Sequence, residues 1–220
     1  KKIKKYKMKI ITIPVTPFMQ NCRIIVCEQT QQAVVVDPGG DAEKINASLK
    51  QHNLSLAAIW LTHGHLDHVG AAHNLREQHK VKMIGPHENE RFWFDNLPMQ
   101  ATMFGFKPIN SFYPDEWLAH GDSIKVGQLE FKVLHCPGHT PGHVVFYQQA
   151  HNTVIVGDVI FKGSIGRTDF PKGDSKQLID SIMQHIMTLP PNTAILSGHG
   201  DNTHVAHEQA TNPFVSGQFG

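Results

Sequence analysis

The feature that most constrains this chain is a recurring short β-branched run, several of whose occurrences lead into a glycine followed directly by a histidine or aspartate. The runs are Arg23-Ile24-Ile25-Val26, Ala33-Val34-Val35-Val36, Ala58-Ile59-Trp60-Leu61, Val81-Lys82-Met83-Ile84, Leu129 to Leu134, Val144 to Tyr147, Val154 to Val156 and Ala194 to Leu196. Each has the length and composition of a strand. Met8-Lys9-Ile10-Ile11-Thr12-Ile13 reads as a first strand, and residues 1–7, rich in lysine, as an extension ahead of it. Helical patterns lie between the runs. One starts at Asp41 with Ile45 and Leu49 on one face, a second covers Gly70 to Lys80, and a third follows Asp174. In the third, Leu178, Ile179, Ile182, Met183, Ile186 and Met187 recur at three- and four-residue steps until Pro190-Pro191 stops them, and its methionines read as core. The stretch from Phe92 to Trp117, rich in aromatics and proline, has no clear period. The expectation is an α/β chain with sheets covered by helices, folded as one domain over residues 8–220.

Composition removes several function classes. With 220 residues and 40% hydrophobic content the chain can fill a core, yet no apolar run approaches the roughly 18 residues of a membrane span. Three cysteines, Cys22, Cys27 and Cys136, are too few and odd in number for a disulfide framework, and they read as small buried residues in a reducing, cytoplasmic compartment. The net charge of +1 misleads. Six lysines stand in the first nine positions, and without them 14 basic residues face 19 acidic ones, a body of −5. That is no footprint for nucleic acid, which needs a positive face rather than a positive tail.

The chemistry is densest at Thr62-His63-Gly64-His65-Leu66-Asp67-His68, where the chain leaves a predicted strand for a helix. Histidines two apart in an extended stretch can converge on one ion, while Asp67 and His68 can face a second position. All four donors are nitrogen or oxygen, which suits zinc, iron or manganese rather than a thiolate site. At this composition such a motif arises by chance in about four sequences per thousand, so a fortuitous match is a poor explanation. His139, Asp158 and His199 repeat the pattern: each follows a β-run and is directly preceded by glycine, which permits close backbone approach. Together these residues form a seven-ligand set. His143 lies close enough to His139 to support it, and His73, His79, His87 and His185 read as solvated.

With these residues in place, the chain resembles the metallo-β-lactamase superfamily and, within it, the glyoxalase II-like hydrolases. Asp37-Pro38-Gly39-Gly40, THGHLDHVGA, HCPGHTPGH, GDVIF and SGHG occur in the family's order with similar spacing, over nearly the whole chain. The resemblance implies a four-layer αββα sandwich with a two-metal site at one edge. By that pattern His63, His65 and His139 hold one divalent ion, Asp67, His68 and His199 hold the other, and Asp158 bridges them. Zinc is the first expectation, with iron or manganese as alternatives. Cys136 is not a ligand in this pattern. One subgroup of true β-lactamases has cysteine where this chain has Asp158, which points away from antibiotic hydrolysis.

A hydrolytic mechanism follows from the implied site. Two divalent ions, two carboxylates and a bridging hydroxide sum to about +1, a charge that favours a developing oxyanion. Asp67 can orient the hydroxide as well as bind metal, making it the catalytic candidate. A thioester fits best, because a thiolate with a pKa near 8.5 leaves without a dedicated general acid. S-D-lactoylglutathione is the family's substrate, and a basic residue near Arg167 contacts substrate in related enzymes. The larger glyoxalase II enzymes add a C-terminal helical domain, whereas here about twenty residues follow His199, so the likeness is to the short bacterial type. The expected partner is a small-molecule thioester, with no nucleic acid and no membrane. The rival from another reaction class is a persulfide dioxygenase, which shares the fold and would place one iron on His63, His139 and Asp158. A nuclease of the superfamily is disfavoured by the acidic body, and a non-catalytic binding module by the intact ligand set.

Overall fold

The β-branched runs of the first half form a five-stranded sheet in the computed structural model, which describes residues 5–217. Residues 1–4 of the lysine-rich start lie outside the described residues, as do 218–220. The strands are β1 (Met8–Val15), β2 (Gln20–Cys27), β3 (Gln32–Val36), β4 (Ser55–Trp60) and β5 (Lys82–Ile84), adjacent in that order. β1 to β3 pair antiparallel, and β3–β4 and β4–β5 pair parallel. β1 is an edge strand of mixed exposure, whereas β2 and β3 are buried along almost their whole length, so that Ile24-Ile25-Val26 and Ala33-Val34-Val35-Val36 read as continuous apolar runs. The parallel steps are made by α1 (Ala42–Gln51), which buries Ile45 and Leu49 as expected, and by α2 (Leu66–Val69) followed by α3 (Ala72–His79). The aperiodic stretch contains two short helices, α4 (Arg91–Asp95) and α5 (Leu97–Phe104). Ile24, Val35, Ile59, Leu75, Met83 and Phe94 are central to the core of this half.

A six-stranded sheet in the second half uses β6 (Ser123–Val126), β7 (Leu129–His135), β8 (Val144–Gln148), β9 (Thr153–Gly157), β12 (Ala194–Ser197) and β13 (Thr203–His204), in the order β13-β12-β9-β8-β7-β6. Between β9 and β12 lie a two-stranded hairpin, β10 (Ile160–Phe161) with β11 (Ser164–Ile165), and then α6 (Ser175–Ser181). Asp174 caps α6 by accepting from the Gln177 amide at 3.0 Å, and the helix continues as a π-turn over Ile182–Ile186. Met187 is core, but Met183 is 44% exposed, which corrects its reading as a packed residue: the wider π-turn carries it off the apolar stripe. The helix α7 (Val205–Thr211) closes this half. Chain contacts divide the molecule into two compact units, Tyr6–Leu118 with Lys125–Leu129, and Ala119–Ile124 with Glu130 onward.

Candidate metal centre

In the first unit the turn after β4 is shaped by Asp37, the residue that follows β3. The Asp37 carboxylate is buried and accepts from the Thr62 amide (2.8 Å), the Thr62 hydroxyl (2.6 Å) and His68 Nδ1 (2.8 Å). Because the Thr62 hydroxyl proton is committed to Asp37, Thr62 Oγ1 accepts from His63 Nδ1 at 2.9 Å. One carboxylate thereby sets the tautomer of two histidines, making Nε2 the lone-pair-bearing atom of each. Asp37, His63 and His68 offer donor atoms close enough to suggest a metal triad, but these hydrogen bonds account for Asp37 as the group behind the ligands. The rings of His63 and His68 lie 4.2 Å apart, those of His63 and His65 5.0 Å, and Asp67 Oδ2 stands 3.6 Å from His68 Nε2. The four residues of the motif therefore form one cluster.

The backbone of this cluster is clamped from Glu90, the residue before α4, and from α5. Buried Glu90 accepts from the Gly64 amide at 2.8 Å, and buried Gln100 accepts from the Leu66 amide at 2.8 Å while donating to the Gly64 and Trp93 carbonyls. The Trp93 ring packs edge-on against His65 at 4.5 Å. Below the turn, a Cβ on Gly39 would stand 1.6 Å from the Asp67 carbonyl oxygen, so only glycine lets the two loops approach. Glu90 and Gln100 belong to no motif in the sequence. A signal existed for Gln100, which shares the buried face of its helix with Leu97 and Ala101, where a polar residue needs a partner.

The second unit gathers His139, Asp158 and His199. Nε2 of His139 is 3.7 Å and Nε2 of His199 3.5 Å from Asp158 Oδ2. His139 donates Nδ1–H to the Arg167 carbonyl at 2.7 Å, again turning Nε2 to the carboxylate side. His143, buried, accepts from the Asp158 amide through Nε2 at 3.1 Å and so supports that residue rather than adding a ligand. The end of β12 is tied to the end of β9 by Gly198 N–H to the Gly157 carbonyl at 2.7 Å, which sets the loop of His199 beside Asp158. Gly138, at φ 138°, would place a Cβ 2.3 Å from the Leu178 backbone. Cys136 is buried and burial raises its thiol pKa, so it stays protonated and inert.

Arg167 has a more specific setting than its sequence position implied. Its guanidinium forms a forked pair with Asp169, both contacts at 2.7 Å, and stacks over Phe170 at 3.9 Å. The pairing raises the Arg167 pKa and lowers that of Asp169. The residue also lines a cleft of about 520 Å³ with Ile165, Lys176, Ile179, Asp180 and Phe214. The remaining histidines singled out earlier are not all solvated: His79 is half-buried and bonded to Asn46 at 2.7 Å, and His185 is half-buried with its ring 4.8 Å from that of His120.

The donor set as a whole fits first-row divalent ions. It offers imidazole and carboxylate without thiolate, and hydrogen bonds to Nδ1 of His63, His68 and His139 leave the Nε2 lone pair of those three rings available to an ion. Comparison with known proteins agrees. Hydroxyacylglutathione hydrolase GloC of Haemophilus influenzae is 43% identical over 95% of this chain and 99% of its own length. Among solved structures, the BLEG-1 B3 metallo-β-lactamase superposes with a TM-score of 0.88 at 38% identity, over 95% of this chain and all of that one. TTHA1623 in a di-iron-bound form gives 0.84 at 35% identity, over 93% and 99%. Among the described residues no helix is long and apolar enough to cross a membrane. Residues 15–199 match the family model of the metallo-β-lactamase superfamily, and with the His/Asp clusters of both units this makes the chain a metallohydrolase belonging to that superfamily, with its fold.

Proposed function

We propose that His63, His65, Asp67, His68, His139, Asp158 and His199 act together as the ligands of two divalent ions, and that the chain hydrolyses thioesters of the S-D-lactoylglutathione type. The observation that carries the metal reading is the orientation network, in which Asp37, Thr62 and the Arg167 carbonyl commit Nδ1 of three histidines. The substrate rests on the likeness to GloC. When bound, the two ions supply a hydroxide from water at neutral pH and polarise the carbonyl under attack. Zinc is the first choice, although the similar di-iron structure makes iron a real competitor for the same donors.

The chain's own residues do the rest. Asp67, the partly exposed carboxylate of its cluster, orients the attacking water as a hydrogen-bond acceptor. Asp158 would supply carboxylate counter-charge to the bound ions. Arg167 exchanges Asp169 for the anionic tail of the substrate at the mouth of the 520 Å³ cleft. No acid is needed for a thiolate leaving group.

Anaerobic turnover of S-D-lactoylglutathione by the metal-loaded protein, followed by loss of the thioester, tests this reading. We expect steady hydrolysis that the Asp158→Ala variant loses together with its metal. Oxygen uptake with glutathione persulfide and an inert thioester would replace the hydrolase with the one-iron dioxygenase. The similarity to a B3 metallo-β-lactamase makes a chromogenic β-lactam the second substrate to offer.

A further inference from the structure

The hairpin β10–β11 starts two residues after Asp158 and ends two before Arg167, whose carbonyl orients His139. On the way it sets the Phe161 ring against that of His199 at 6.2 Å. All three ligand candidates of the second unit therefore touch this short segment or flank it. Two-residue strands cannot hold a position alone, since an isolated hairpin is marginal even with longer strands. The segment must be fastened from outside.

The fastening is polar and buried. Glu208 of α7, fully buried, accepts from the Gly163 amide at the hairpin tip (2.9 Å), from Asn212 Nδ2 (3.0 Å) and from the Thr203 hydroxyl. Asn212, also fully buried, shares its amide hydrogens with the Ser164 carbonyl (3.0 Å) and the Phe161 carbonyl (3.4 Å), and its Oδ1 accepts from the Phe214 amide (3.0 Å). Ser197, at the end of β12, donates to the Ile160 carbonyl at 2.7 Å. Apolar packing would hold a hairpin against a helix at lower desolvation cost. A buried carboxylate with directed partners instead fixes one register and one distance.

We propose that Glu208 and Asn212 are positioning residues, which hold the β10–β11 hairpin so that His139, Asp158 and His199 keep the geometry of metal ligands. This rests on the reading of those three residues as ligands. It places part of the control of metal affinity in a helix that contributes no ligand. Glu208→Gln preserves the arrangement, because its carbonyl still accepts from Gly163 and Asn212 while the Thr203 hydroxyl turns to accept from the new amide. Glu208→Ala and Asn212→Ser release the hairpin tip and its flank.

The test is zinc affinity by competition with a chromophoric chelator, joined to the visible spectrum of the cobalt-substituted protein, for wild type and the three variants. We expect Glu208→Ala and Asn212→Ser to bind zinc about 10–100-fold more weakly, with an altered cobalt spectrum and unchanged circular dichroism. Glu208→Gln should stay within about threefold of wild type, as expected when the hydrogen bonds are re-formed rather than lost. If Glu208→Ala fails to fold, Asn212→Ser decides. A folded Asn212→Ser with wild-type affinity and spectrum overturns the proposal, while a wild type that binds no metal overturns the ligand reading beneath it.

Discussion

Asp37 has a left-handed backbone, φ 53°, in a position where glycine would be relaxed. Such strain costs about 1–3 kcal/mol and persists only where the side chain is needed. Here the side chain is the acceptor for Thr62 and His68, and through Thr62 it governs His63. Asparagine tolerates the same backbone and has nearly the same volume, but its amide group must present donor hydrogens to a site filled by donors. Asp37→Asn is therefore expected to lower stability by about 1–3 kcal/mol and to weaken zinc binding about 10–100-fold. A calorimetric unfolding scan beside a zinc titration separates the two effects. Equal affinity in the variant would show that the histidine tautomers do not depend on this carboxylate.

Elements place the ligands through close backbone packing, and glycine marks the tightest points. At Gly138 the positive φ and the Leu178 backbone 2.3 Å from a virtual Cβ leave no room for alanine. Gly138→Ala should lower stability by about 3 kcal/mol or more, read as a fall of the denaturant midpoint with unchanged slope. An unchanged midpoint would mean that the loop and α6 part at no cost. The strands were legible in the sequence because β-branched runs and glycine punctuation are local signals, and the ligand candidates stood out because the first four are neighbours in the chain. α4 and α5 were not legible: they are short, Asn96 separates them, and the buried face of α5 carries the polar Gln100 beside Leu97 and Ala101. Glu90, Gln100, Glu208 and Asn212 escaped notice for another reason. Each has a partner at least 26 residues away, and a lone polar residue in or beside a helix reads as solvated until the fold buries it.

At the scale of the whole molecule, metal is expected to act as a folding ligand. An ion that binds the native chain alone stabilises it by about 2.7 kcal/mol at a hundredfold excess over its Kd, so zinc should raise Tm and a chelator lower it. A Tm indifferent to both would remove the metal centre from the native state. Arg167 adds a different kind of consequence, since its carbonyl orients His139 while its side chain lines the cleft and pairs with Asp169. A ligand that draws the guanidinium away from Asp169 acts on the residue whose carbonyl aims the imidazole. Linkage then works in both directions: an anionic product or inhibitor must shift zinc affinity by the factor by which zinc shifts its own binding. In Arg167→Ala, which keeps the carbonyl and loses the grip, the factor by which zinc and an anionic ligand change each other's binding should fall to the share carried by the ions themselves, so that a side chain outside the ligand set would carry part of a two-way coupling.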